Sequence, residues 1–67
     1  MTKTQDEVRK EFAHYFIDLD ESSKKEGFRV SKASEWESFL NAQIDMGYIT
    51  ASAIHWKCPR SVKALIS

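Results

Sequence analysis

Three side chains in this sequence belong to types that carry out nucleophilic catalysis: Cys58, His14 and His55. Acyl transfer needs a nucleophile, a base that accepts its proton, and donors that stabilise the oxyanion. The residues around the cysteine and the two histidines match no catalytic signature of this kind. We therefore predict a protein that is not an enzyme, with no catalytic residue and no cofactor.

The spacing of His55 and Cys58 would suit two metal ligands on one helical turn. A structural zinc site needs four ligands, and only Asp45 or His14 could be added from elsewhere. A separate acidic group comprises Asp18, Asp20, Glu21 and Glu26. It lacks the spacing of a calcium-binding loop. The sequence therefore predicts no metal site, and the acidic group is either a solvated helix end or a patch for a basic partner.

Basic residues prevail near the end of the chain. Residues 1–40 contain seven basic and nine acidic residues, whereas residues 41–67 contain three basic residues and one acidic residue, which gives −2 and +2. The three basic residues, Lys57, Arg60 and Lys63, could contact phosphates. Weak helix-turn-helix-like DNA binding, or modulation of transcription, is therefore an alternative function. It stays second because the net charge is zero and few side chains could read bases.

The chain has more large apolar residues than so small a core is expected to hold. Ile17 lies off the apolar face of its predicted helix, and Tyr48 and Trp56 lie beyond the second helix. Exposed aromatic residues are enriched at protein interfaces. We predict that these three residues bind a partner, although Tyr48 and Trp56 could instead close the ends of the core.

The spacing of apolar residues predicts a long first helix. One helical face comprises Val8, Phe12, Tyr15, Phe16 and Leu19. This face predicts a helix at about residues 5–21, capped by Thr4 or Asp6. The serines, lysines and glycine that follow predict a loop.

A second apolar face comprises Trp36, Phe39, Leu40 and Ile44. It predicts a helix at about residues 34–46. Ser34 and Glu37 have the spacing of a capping box, Ser31 is an earlier candidate cap, and Gly47 is suited to ending the helix.

Shorter elements follow the second helix. Thr50 could cap a third helix at about residues 50–57, which Pro59 would end. Residues 61–66 could form one more helical turn, with Ser61 as its cap.

The length of 67 residues predicts a single domain over residues 1–67 with a small core. One cysteine allows no internal disulfide, so good packing or self-association must compensate. The first residues do not resemble a secretory signal, and no run of 18 apolar residues is present. We expect a cytoplasmic protein without a membrane segment.

Residues 34–56, SEWESFLNAQIDMGYITASAIHW, resemble a motif of small proteins from temperate bacteriophages. The chain is similar to the short open reading frames of the exo–xis region of lambdoid bacteriophages. This resemblance implies a helical early protein in the cytoplasm of an infected bacterium, with effects on the host cell cycle or on the choice between lysis and lysogeny. It implies no particular functional residue, but it favours binding to a host protein.

Together these observations predict an all-α domain with two main helices and a short third helix, assembled as a homodimer that shares a core. The predicted function is non-enzymatic: binding of a bacterial host protein to modulate host or phage development. A third interpretation is that the helices only assemble a larger homo-oligomer.

Overall fold

A computed structural model describes residues 2–66, and within that range the chain is mostly helical and has no strand. Its elements are α1 (Gln5–Glu26), α2 (Lys32–Asp45), a 3-10 helix (Ala51–His55) and α3 (Val62–Ile66). The prediction of a helical protein with two long helices is confirmed.

Helix α1 is five residues longer than the sequence pattern indicated. Thr4 caps it, because its hydroxyl oxygen accepts a hydrogen bond from the amide of Glu7 at 3.2 Å. Near the other end Ser23 is buried and donates its hydroxyl to the Leu19 carbonyl at 2.8 Å. Gly27 then ends the helix with a φ of 85°, in the left-handed region that favours glycine. Ser23 therefore lies within α1, whereas the serines were expected to lie in the loop that follows the helix.

Helix α2 begins earlier than the Ser34–Glu37 capping box suggested. Its cap is Ser31, whose hydroxyl oxygen accepts a hydrogen bond from the Ser34 amide at 3.3 Å. The helix ends at Asp45, and Gly47 follows with a φ of 79°.

The predicted third helix at residues 50–57 is a 3-10 helix over Ala51–His55 instead. The Thr50 side chain makes no capping bond to the backbone and lies 2.8 Å from the Ser52 hydroxyl. Trp56 has an extended backbone, and its carbonyl accepts a hydrogen bond from the Trp36 indole at 2.9 Å. The chain thus leaves the helical path at Trp56, three residues before Pro59.

Helix α3 forms where a last turn was expected at residues 61–66. The Ser61 hydroxyl accepts a hydrogen bond from the Ala64 amide at 3.4 Å, as a capping residue does.

The core lies where α2 and α3 pack against α1. Contacts along α1 from Lys3 to Tyr15 are made with residues that run backwards from Tyr48 to Glu35, so α2 is antiparallel to α1. The Phe12 ring is at the centre, 5.0 Å from the Trp36 ring and 5.5 Å from the Phe39 ring between centroids. The buried apolar residues are Val8, Phe12, Ala13, Phe16, Trp36, Leu40, Ile49, Ala53 and Val62.

Candidate partner-binding surface

Several kinds of site are not found in the part of the chain that the structure describes. Over residues 2–66 there is no cavity between the elements and no group of three or more side chains placed to hold a metal ion. No helix in this range has the length and apolar character needed to span a bilayer. The surface is therefore the place to look for a binding site.

The Cys58 thiol is half-buried and is separated from the chemistry considered for it. Its two hydrogen-bond acceptors are backbone carbonyls, that of Lys32 at 3.9 Å and that of Pro59 at 3.6 Å, rather than a histidine. Burial raises the pKa of the thiol, an effect that the positive charges of Lys32 and Arg9 partly offset. This environment disfavours the reactive thiolate.

The acidic group of α1 does not converge on one point. Because α1 continues to Glu26, all four acidic residues lie within the helix, not beyond its end. Asp18 and Asp20 are two residues apart, which places them about 200° apart around an α-helix. The Asp20 carboxylate pairs with the Lys24 ammonium at 3.2 Å. The arrangement is a set of separate surface charges.

The basic residues of the DNA-binding alternative are all exposed, but they lie on different elements. Lys57 follows the 3-10 helix, Arg60 lies in the next turn and Lys63 lies on α3. The element expected to enter the major groove is a five-residue 3-10 helix, about 10 Å long at 2.0 Å per residue. It is much shorter than the recognition helix of a helix-turn-helix protein.

Of the predicted partner-binding residues, Tyr48 has the clearest surface position. Its side chain is 40% exposed. The Lys3 ammonium lies 4.2 Å from the centre of the Tyr48 ring, and the Lys3 amide donates to the Tyr48 carbonyl at 2.7 Å. Lys3 also donates to Glu11 at 2.8 Å and to Gln43 at 3.3 Å. We call Lys3, Met46 and Tyr48 the Tyr48 surface; Met46 is 57% exposed.

Ile17 and Trp56 are half-buried and pack against the core. Ile17 lies 12 residues after the start of α1 at Gln5, a distance of about 18 Å along the helix axis. Tyr48 is beside Lys3, just before that start. The structure therefore places Ile17 and Tyr48 at well-separated levels of α1.

Tyr15 is a surface residue that the periodic pattern assigned to the core. Its side chain is 44% exposed and its ring stacks on the Phe39 ring, with centroids 5.7 Å apart and planes inclined by 28°. Its hydroxyl donates to Glu35 Oε2 at 3.1 Å. Burial, followed by this hydrogen bond and the Glu35 charge, raises the pKa of Tyr15. The phenol hydroxyl was the only sequence signal that this position needs a polar neighbour.

No family model, curated protein or solved structure matches this chain.

Proposed function

We propose that this protein is a non-enzymatic binding protein that acts in the bacterial cytoplasm by occupying a bacterial protein, and so modulates host or phage development. The observation that carries the proposal is the Tyr48 surface. Tyr48 is 40% exposed; the Lys3 ammonium lies over its ring, and the Lys3 amide donates a hydrogen bond to its carbonyl. Fixing a tyrosine before binding reduces the entropy lost on association.

Two further observations support this proposal. Of the six large apolar residues that are exposed within residues 2–66, three lie within residues 46–54: Met46, Tyr48 and Ile54. Methionine and tyrosine are both enriched in protein interfaces. The resemblance of residues 34–56 to small early proteins of temperate bacteriophages favours the same function.

The test is affinity capture of the tagged protein from bacterial lysate, with and without nuclease, followed by identification of the retained proteins. We expect one host protein to be retained after nuclease treatment. Tyr48→Ala should reduce its recovery, whereas Phe28→Ala, which removes another exposed aromatic ring, should not. Circular dichroism of both variants should show an unchanged helical content.

Trp56→Ala separates the two roles considered for that residue. If Trp56 contributes to binding, the variant keeps its helical content and loses capture. A large loss of helical content would instead place Trp56 in the core. Failure of the wild-type protein to retain any bacterial protein would contradict the proposed function.

The alternative is weak DNA binding through the basic residues of the C-terminal third. It is favoured by one observation: Lys57, Arg60 and Lys63 are exposed and have no carboxylate within 4.0 Å in residues 2–66. Replacing all three with alanine should abolish a salt-sensitive DNA complex and leave capture of a protein intact. Capture that disappears with nuclease would make this the leading function.

We also propose that the protein is a homodimer, because so small a core gains from burying more apolar surface. Sedimentation over a range of concentrations tests this directly. A larger assembly, without a host partner, would favour the interpretation that the helices only form a homo-oligomer.

A further inference from the structure

A second surface lies further along the edge of the α1–α2 pair at which Lys3 bonds Glu11 and Gln43. We call Tyr15, Asp18, Glu35 and Phe39 the Tyr15 surface. The Tyr15 ring stacks on that of the half-buried Phe39, and Tyr15 is itself exposed. Asp18 follows Tyr15 by three residues in α1 and therefore lies beside it on the same helical face. Glu35 is joined to the Tyr15 hydroxyl from α2.

The charges of the Tyr15 surface are unbalanced. Neither Asp18 nor Glu35 has a lysine, arginine or histidine nitrogen within 4.0 Å in residues 2–66. The nearby Glu11 differs, because both of its carboxylate oxygens accept hydrogen bonds from Lys3. The Tyr15 hydroxyl donates only to Oε2 of Glu35, and no hydrogen-bond partner of Oε1 is found in the described range. The surface thus combines an exposed aromatic ring with two carboxylates that lack a cation.

From this combination we infer that the Tyr15 surface is a docking site for an arginine side chain presented by a protein partner. A guanidinium can stack on the Tyr15 ring and donate hydrogen bonds to a carboxylate at its edge. Lysine fits less well, because its ammonium is strongly hydrated and lacks the planar fork of donors. The inference rests on the proposed function only in assuming that the ligand is a protein.

The probe is an acetylated and amidated peptide, Ala-Arg-Ala-Arg-Ala, titrated at low ionic strength into the full chain labelled with ¹⁵N. Two matched peptides carry lysine or glutamine in place of both arginines. We expect saturable shifts of the amide signals of Tyr15, Asp18 and Glu35 with the arginine peptide. The lysine peptide should bind several-fold more weakly, and the glutamine peptide should cause no shift.

Four variants test the individual groups. Asp18→Asn and Glu35→Gln should each weaken the arginine peptide by about three- to fivefold, the effect of one exposed ion pair. Tyr15→Leu should weaken it by a similar factor, about three- to fivefold, through loss of the cation–π contact. Glu26→Gln removes one exposed charge at the far end of α1, 11 residues after Tyr15 or about 16 Å along the axis, and should leave the affinity unchanged.

The inference is overturned if the shifts spread evenly over the acidic residues, if lysine and arginine peptides bind equally, or if Glu26→Gln weakens binding as much as Asp18→Asn. It is also overturned if dilution of the protein alone shifts the same signals, because the occupant would then be a second copy of the chain. A host protein captured equally well by wild type and by the Asp18→Asn/Glu35→Gln variant would leave the proposed function standing without this site. Specific binding of the arginine peptide with no captured host protein would support this site and contradict the proposed function.

Discussion

The α1–α2 pair and the segment formed by residues 46–66 are stabilised in different ways. Each long helix has a side-chain cap, Thr4 or Ser31, and contributes to a cluster of aromatic rings centred on Phe12. The segment contains only two helical pieces of five residues each. Pieces this short are not stable by themselves in water. The first region therefore carries its own local helix signals, whereas the helical pieces of the second depend on packing, and both regions contribute to one core.

Two polar links show how residues 46–66 depend on α2. The Trp36 indole donates to the Trp56 carbonyl, and the Lys32 ammonium donates to the Arg60 carbonyl. Four residues of the segment are also buried against the helices: Ile49, Ala53, Pro59 and Val62. The same segment exposes Met46 and Tyr48 and carries three exposed basic residues. The exposed candidate binding residues of this segment are therefore positioned by its contacts with the long helices.

The largest effect should come from breaking the aromatic cluster of the α1–α2 pair. Phe12 is fully buried, and Phe12→Ala removes a ring that is paired with four others. We expect the free energy of unfolding to fall by about 3–5 kcal/mol. This is a large part of the total stability of a small domain. Urea denaturation followed by circular dichroism measures it.

Phe28→Ala is the matched control, since Phe28 is 52% exposed. It should change the free energy of unfolding by less than about 0.5 kcal/mol. Equal losses in the two variants would show that the Phe12 cluster is not the main source of stability.

The second effect should separate the two regions. Trp36→Phe leaves an aromatic ring in the core but removes the indole N–H that α2 donates to Trp56. We expect a loss of about 2 kcal/mol from the missing hydrogen bond and the reduced volume. In hydrogen exchange, the amides of Ala53 and Trp56, which donate to carbonyls of Thr50 and Ala53, should become less protected than those of α1. If protection fell equally in α1, the two regions would be a single cooperative unit.

The third effect concerns the local signals that start α2. Ser31→Ala removes the hydroxyl that caps the helix, and we expect a loss of about 1 kcal/mol. Ser34→Ala at the neighbouring exposed serine should cost less than about 0.5 kcal/mol. Thermal melting of both variants gives the comparison. A larger loss of stability for Ser34→Ala than for Ser31→Ala would favour the predicted capping box, in which Ser34 is the cap.

The smallest effect is electrostatic and lies at the edge of the α1–α2 pair. Burial and then Glu35 raise the pKa of Tyr15 above 10.0. Glu35→Gln should therefore lower this pKa toward 10.0 without reaching it, because burial of the ring remains. The chemical shifts of the Tyr15 ring, measured against pH, report the change. An unchanged pKa would show that the hydrogen bond to Glu35 is not maintained in solution.

The raised pKa also sets the direction of a pH effect on stability. Above pH 10 the unfolded chain releases the tyrosine proton before the folded chain does. The stability contributed by protonated Tyr15 is therefore complete below about pH 10, the unfolded value, and is lost as the pH rises through the folded pKa. In Tyr15→Phe this part of the pH dependence should disappear.

The periodicity of apolar residues in the sequence was sufficient to predict the inner faces of the long helices. Val8, Phe12 and Phe16 in α1, and Trp36 and Leu40 in α2, were expected to face the core and are buried. Apolar residues at helical spacing can be removed from water together only on one face, so their positions are a local property.

Periodicity failed where a partner distant in sequence changed the outcome. Tyr15 belongs to the same apolar pattern, yet it lies at the exposed edge beside Glu35. The Tyr48 surface depends on Lys3, which is 45 residues away and has no local signal for that contact. The Trp56 carbonyl, just after the 3-10 helix, accepts a hydrogen bond from Trp36, which is 20 residues earlier in the chain. None of these contacts joins residues at a regular helical spacing, so the periodicity of the sequence does not predict them.

The amino-acid sequence by itself therefore determined that the chain forms two amphipathic helices, which apolar residues face the core, where α1 begins and roughly where α2 ends, because spacing, caps and glycines act over a few residues. Tertiary structure alone decided that residues 51–55 form a 3-10 helix, that Lys3 holds Tyr48, and that Tyr15 and Glu35 share an edge. These features depend on side chains that meet only after α1 and α2 have packed, when burial and hydrogen bonding between distant residues outweigh local preference.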